Sequence, residues 1–215
     1  MLIAVQARDL THAFGTRTVL AGVDLQIRMG EAVAIRGPSG SGKTTLVAIL
    51  GGLLVPDAGR VVRQVDHMWV LQTTNALPSR TALDNVALGP LAEGLTRIES
   101  NRRAREAIDA VGLEERAHIG ARRLSGGELQ RVSVARALAS NRGLVLADEP
   151  TGQLDAATAE TVANALVGLV ENERALVIAT HDPMVASRCH HVFDLVDGTL
   201  RSVDVKSVSP SASGS

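Results

Sequence analysis

Apolar positions along the chain alternate with period two in some stretches, run unbroken in others, and recur at helical spacing in the rest. Ile3 to Leu10 and Val19 to Ile27 read as strands, with Gly15-Thr-Arg between them. Ala32 to Arg36 is a short apolar strand running into a glycine-rich loop, and Lys43 to Leu54 reads as a helix. Pro56-Asp-Ala-Gly59 is a turn, followed by short strands at Val61 to Val65 and Met68 to Leu71. Helices are predicted over Leu83 to Leu91, around Ile98 to Val111, over Glu128 to Ala139 and over Ala156 to Val170. Leu144 to Asp148 and Ala175 to Thr180 are apolar enough to be buried strands. Val192 to Val196 and Thr199 to Val205 flank Asp197-Gly198, a dipeptide suited to a two-residue hairpin turn. Strands alternating with helices predict an α/β fold with a mostly parallel sheet covered on both faces. The two opening strands are expected to form a separate antiparallel β edge. The charged, helical stretch at about 80–140 is expected to be an inserted subdomain.

Length and composition narrow the classes. A chain of 215 residues fits one domain with room for a large core. No apolar run approaches the roughly 20 residues of a spanning helix, and the start lacks signal-peptide character. These features lead us to expect a cytoplasmic protein. Net charge is −1 and aromatic residues are few, which argues against a nucleic-acid partner. One cysteine, Cys189, cannot form an intrachain disulfide, and Cys189-His190-His191 has no spaced partners to complete a metal site. The arginines at 102, 103, 105, 122 and 123 are interleaved with acids, as on a solvated helical face. Residues 207–215 are Ser, Pro, Gly, Ala and Val, the composition of a disordered tail. Of 22 basic residues, 20 are arginine; the two lysines are Lys43 and Lys206.

Lys43 lies in the chain's clearest motif. Gly37, Pro38, Ser39, Gly40, Ser41, Gly42, Lys43 and Thr44 fit G-x-x-x-x-G-K-[ST] between a strand and a helix, with Thr45 next in the helix. Glycines allow backbone N–H groups to converge on phosphate oxygens, and the helix N-terminus adds partial positive charge. Lysine supplies a compact charge where the arginine fork fits less well. The Thr44 hydroxyl is a candidate Mg²⁺ ligand. Leu144 to Asp148 then delivers Asp148 and Glu149 to a strand end, where open parallel sheets bind ligands. Asp148 is the candidate metal ligand and Glu149 the candidate base for water. A second anion site is predicted at Leu124, Ser125, Gly126, Gly127 and Glu128. There a serine and two glycines open a helix, with Glu128 at the capping-box position.

With these motifs together, the chain resembles the ATP-binding subunits of ABC transporters over about residues 2–205. Leu124 to Gln130 matches the family's signature segment, and Asp155 in Gly152-Gln-Leu-Asp155 matches its D-loop. His181 matches the switch histidine, Gln72 the Q-loop glutamine, and Phe14 the aromatic that stacks on adenine. Within the family, the segments at 148–155 and 75–88 look most like the lipoprotein-release, macrolide-export and cell-division branch. The resemblance implies a P-loop NTPase fold over 1–206, with ATP and Mg²⁺ as cofactors. Gln72 would join Thr44 and Asp148 around the metal. It also implies a homodimer or heterodimer of ATP-binding subunits, in which Ser125 and Gly127 act on the opposing subunit's ATP. Separate transmembrane permease subunits would place the chain peripherally on the inner face of the cell membrane. Two other readings are an ATPase that regulates a membrane complex without transport, and a soluble ATP-driven clamp. The clamp needs a long heptad insertion that the interval from 72 to 125 lacks. One departure stands out: Lys43 and Gln72 are 29 residues apart, short of the family's usual interval by about a strand, a turn and a short helix. That puts the sheet edge and the nearby partner surface in question.

Overall fold

The structure is a computed structural model and describes residues 2–72 and 75–203. Two sheets carry the strands. Strands β1 (Ile3–Phe14), β2 (Arg17–Arg28) and β4 (Ala58–Arg63) form an antiparallel sheet in the order β2-β1-β4. Strands β3 (Ala32–Arg36), β5 (His67–Val70), β6 (Leu144–Asp148), β7 (Ala175–Thr180), β8 (His191–Val196) and β9 (Thr199–Val203) form the larger sheet, ordered β5-β6-β7-β3-β8-β9. Its first five strands are mutually parallel, and β9 returns antiparallel at the edge. Asp197 and Gly198 both take positive φ, 49° and 75°, as a two-residue hairpin between twisted strands requires.

The central strands read as unbroken apolar runs because both of their faces are buried. In β6, Leu144 and Leu146 enter one core while Val145 and Ala147 enter the other. β3 and β7 divide their residues in the same way. Helix α1 (Lys43–Leu50) and the antiparallel sheet cover the first face. Helices α2 (Ala82–Ala92), α3 (Arg97–Ala110), α4 (Gly126–Ala139) and α5 (Ala156–Val167) cover the second.

Several boundaries differ from the sequence reading. α1 stops at Leu50 rather than Leu54, because Gly52 turns to a φ of 75°. Arg63 also caps this end, donating to the Ile49 and Leu50 carbonyls at 3.4 and 3.0 Å. α5 tightens after Val167 into a 3₁₀ turn over Gly168–Asn172. α4 begins two residues before Glu128, since Ser125 is its cap. A five-residue helix, α6 (Pro183–Ser187), is too short to show in periodicity. β1 continues past Leu10 to Phe14, and β4 takes Ala58–Arg63 instead of 61–65.

The shortened interval leaves the sheet edge intact. β4 pairs with β1, and after residues 64–66 the chain enters β5, which pairs with β6. α2 and α3, between Gln72 and Ser125, span only 11 and 14 residues, far short of a clamp's coiled coil. No helix among the described residues is long and apolar enough to cross a membrane. The expected tail, 207–215, lies outside the described residues.

Candidate nucleotide site

The loop between β3 and α1 leaves the carboxyl end of β3, which lies between β7 and β8. Here chain connections diverge to either side and leave a crevice. The backbone packs so closely that two positions must be glycine. A Cβ on Gly37 would come within 2.7 Å of the Leu195 carbonyl, and one on Gly42, at φ 103°, within 2.7 Å of the Val19 carbonyl. Arg17 braces the loop from β2 by donating to Gly40 O at 2.8 Å. At the base of the loop, Arg36 grips Asp194 with two bonds of 2.7 and 3.0 Å, which steadies the end of β3. Sequence reasoning missed both arginines; Arg36 and Asp194 are separated by 158 residues, so no local pattern links them.

Lys43 opens α1 and is only 7% exposed. Its Nζ donates to the Gly37 and Pro38 carbonyls at 2.8 and 3.1 Å and lies 4.0 Å from Glu149 Oε1. The Thr44 hydroxyl donates to Asp148 Oδ1 at 3.1 Å across the gap between α1 and β6. Burial raises the Asp148 pKa; the Thr44 bond and Lys43 oppose that, and the Glu149 charge reinforces it. Glu149 follows with φ 46°, a conformation held by its N–H bond to the Ala179 carbonyl of β7 at 2.9 Å. That turn sends its side chain toward His181 beyond β7, whose Nδ1 lies 3.0 Å from both carboxylate oxygens. Three neighbouring strand ends thus bring together Lys43, Thr44, Asp148, Glu149 and His181. Hydroxyl and carboxylate oxygens at Thr44 and Asp148 make a hard-donor pair that fits Mg²⁺. Ser41 Oγ, buried without a hydrogen-bond partner among the described residues, fits a polar ligand in the loop.

Gln72 lies two residues past β5 and is exposed; Val70 of β5 is in register with Ala147, so it emerges at the same sheet end as Asp148. Phe14, at the end of β1, is 56% exposed and is met edge-on by the His12 ring at 4.9 Å. Arg17, Val19, Ser39, Gly40, Val196 and Asp197 help line a cleft of about 270 Å³ beside the phosphate loop. Phe14 does not line this cleft.

The Leu124–Glu128 segment forms a complete capping box. Ser125 Oγ accepts the Glu128 N–H at 3.2 Å, and Glu128 Oε2 accepts the Ser125 N–H at 2.7 Å. The backbone bond from Ser125 lowers the Glu128 pKa, with Arg116 adding to it. Ser125 and Gly126 are exposed. Gly127 lies against the segment leading to Asp155, where a Cβ would stand 3.3 Å from the Gln153 carbonyl. Asp155 caps α5 by accepting the Thr158 N–H at 3.0 Å. No hydrogen bond among the described residues joins this second anion site to the chain's own phosphate loop. Cys189 is buried, which pushes its thiol up to about 12, and the neighbouring His190 Nδ1 accepts the Ala32 N–H at 3.0 Å.

A phosphate loop, a strand-borne acid pair and a histidine on one sheet end define a P-loop nucleoside triphosphatase. The chain belongs to the ABC transporter family, whose model matches residues 20–152. It is 41% identical over 215 residues to the lipoprotein-releasing system ATP-binding protein LolD of Nitrobacter hamburgensis, covering 92% of this chain and 93% of that protein. LolD 2 of Rhodospirillum rubrum is 43% identical, covering 93% of this chain and 96% of its own. The macrolide export ATP-binding/permease protein MacB of Marinobacter nauticus is 38% identical over 91% of this chain, but only 34% of that protein is covered. Among solved structures, the dimeric post-hydrolysis state of the ATP-binding cassette MJ0796 bound to ADP and Pi superposes with a TM-score of 0.83 and 35% identity. That match covers 94% of this chain and 98% of the other.

Proposed function

We propose that this chain is the ATP-hydrolysing subunit of a lipoprotein-releasing type of ABC transporter, energising a separate membrane permease. The LolD relatives support this over macrolide export, because they align along nearly their whole length. In this reading residues 1–206 are the ATP-binding domain, about 80–140 is its helical subdomain, and the chain sits on the inner face of the cell membrane.

The carrying observation is Glu149, held by His181 on one side and 4.0 Å from the Lys43 ammonium on the other. Lys43 and the loop N–H groups hold the β- and γ-phosphates. Asp148 and Thr44 would hold Mg²⁺, which would supply charge neutralisation on the phosphate oxygens. Glu149 orients and deprotonates the attacking water, and His181 fixes the carboxylate while contacting the γ-phosphate. Phe14 stacks on adenine, and Gln72 would join Asp148 and Thr44 in holding the metal. The exposed cap at Ser125 and Gly127 closes on the ATP of an opposing subunit, so two chains related by a two-fold axis enclose two nucleotides. Dimeric MJ0796 supports that arrangement.

Glu149→Gln tests the reading. Turnover is expected to fall at least ~100-fold, the scale of a lost general base. ATP should then trap a dimer visible by size-exclusion chromatography. Normal turnover overturns the base assignment, and a monomer with ATP bound overturns the dimer.

A further inference from the structure

His12 is a buried histidine that the nucleotide chemistry does not use. It lies near the end of β1 and is 6% exposed. Neither ring nitrogen makes a hydrogen bond among the described residues. Its Nδ1 lies 3.5 Å from Asp57 Oδ2, and its ring meets the Phe14 ring with centroids 4.9 Å apart and planes at 87°. An imidazole buried without hydrogen bonds costs stability, and an apolar side chain of similar size would not. Packing alone therefore gives no reason for a histidine here.

The backbone around His12 is irregular. The register of β1 on β2 shifts between Leu10 and His12 and again between His12 and Ala13. Irregularities of this kind re-aim the side chains beside them. Pairing of β1 with β4 ends at Thr11 and Ala58. Beyond that point Asp57, in the turn between α1 and β4, holds the strand instead. Its N–H donates to the Thr11 carbonyl at 2.9 Å, and its Oδ2 accepts the Ala13 N–H at 2.7 Å. Phe14 comes next and pairs across the ladder with Arg17, which donates to Gly40 of the phosphate loop. One strand of this hairpin is thus tied to the phosphate loop and the other to Asp57 and His12. The Phe14 side chain keeps an exposed surface.

We propose that His12 and Asp57 are positioning residues that set the Phe14 ring for stacking on the adenine base. The inference rests on the adenine contact of Phe14 proposed above. Asp57 fixes the backbone at 11–13, and the buried His12 ring limits the rotation of Phe14. An aromatic ring already held in place loses less freedom when the base arrives, so ATP binds more tightly. The stability lost by burying an unpaired imidazole is in this way exchanged for nucleotide affinity.

The experiment measures KM and kcat for ATP with the full chain and Mg²⁺. Phe14→Ala is expected to raise KM about tenfold, the scale of one lost base–aromatic stack. His12→Leu and Asp57→Ala should each raise KM about threefold, with kcat within about twofold of wild type. In the Phe14→Ala background, His12→Leu should change KM no further, because the ring it positions is gone. His12→Leu alone is expected to melt at or above the wild-type temperature. If Phe14→Ala leaves KM unchanged, the adenine contact itself fails and the inference falls with it. If Phe14→Ala raises KM but His12→Leu and Asp57→Ala do not, the positioning role is overturned. An equal rise for His12→Leu with and without Phe14 also overturns it, as does a lower melting temperature with an unchanged KM.

Discussion

Asp148 illustrates how a residue proposed to hold a metal works against the fold around it. It is buried at the end of β6, and desolvation raises its pKa. The sign follows from linkage: the folded protein binds the proton more tightly than the unfolded chain does. Stability contributed through this group is therefore present at low pH. It is lost as pH rises through the unfolded value, about 3.9, and then through the higher folded value. Asp148→Asn keeps an acceptor for the Thr44 hydroxyl and removes the charge. Without nucleotide or metal, this variant should melt higher than wild type at neutral pH. The difference should shrink as the solution is acidified, while Mg²⁺-dependent ATPase activity is lost. Thermal melts at several pH values check this, and a lower melting temperature at pH 7 counts against it. Lys43 is the complementary case: its ammonium is desolvated yet satisfied by two loop carbonyls, so the loop supports the charge it needs for phosphate.

At the scale of elements, α4 begins at a cap that is also the anion site proposed for an opposing subunit's ATP. Ser125 and Glu128 satisfy each other's backbone N–H groups and start the helix. The cap is exposed and packs beside residues 153 and 154. Ser125→Ala should cost about 1 kcal/mol of stability, the usual value of an N-cap. Its effect on ATP-dependent dimerisation should be larger than that loss explains. Denaturant unfolding gives the first quantity, and size-exclusion of Ser125→Ala in the Glu149→Gln background gives the second. Equal losses would reduce Ser125 to a cap.

For the whole molecule, the division into two cores on either side of one sheet sets what is tolerated. Gly51 ends α1 where the chain meets Trp69 of β5; a Cβ there would fall 1.9 Å from Trp69 Cζ2 and 2.7 Å from Leu146. Gly51→Ala must therefore displace the only tryptophan in the chain from its packing. Overpacking of this kind costs about 1–3 kcal/mol. Trp69 emission in the folded state should shift and the unfolding midpoint should fall; unchanged fluorescence would mean that the sheet yields instead.

Motifs with strictly local geometry were readable at once. The phosphate loop, the Ser125 cap, β3, β6, β7 and the Asp197-Gly198 turn depend on neighbours within a few residues, and their residue types leave few conformations open. Element ends were less legible where a distant group intervenes, as at α1, whose last carbonyls Arg63 of β4 caps. Sequence alone determined the α/β class, the ABC family and the candidate residues of the nucleotide site. Only the tertiary structure decided that His181 bears on Glu149, that Arg36 anchors the loop through Asp194, and that Gln130 and Arg136 hold the chain around Gln72. The reason is physical: those contacts join residues 32 to 158 positions apart. Adjacent strands β6 and β7, and β3 and β8, bring the first two pairs together, and the packing of α4 beside β5 brings the other two.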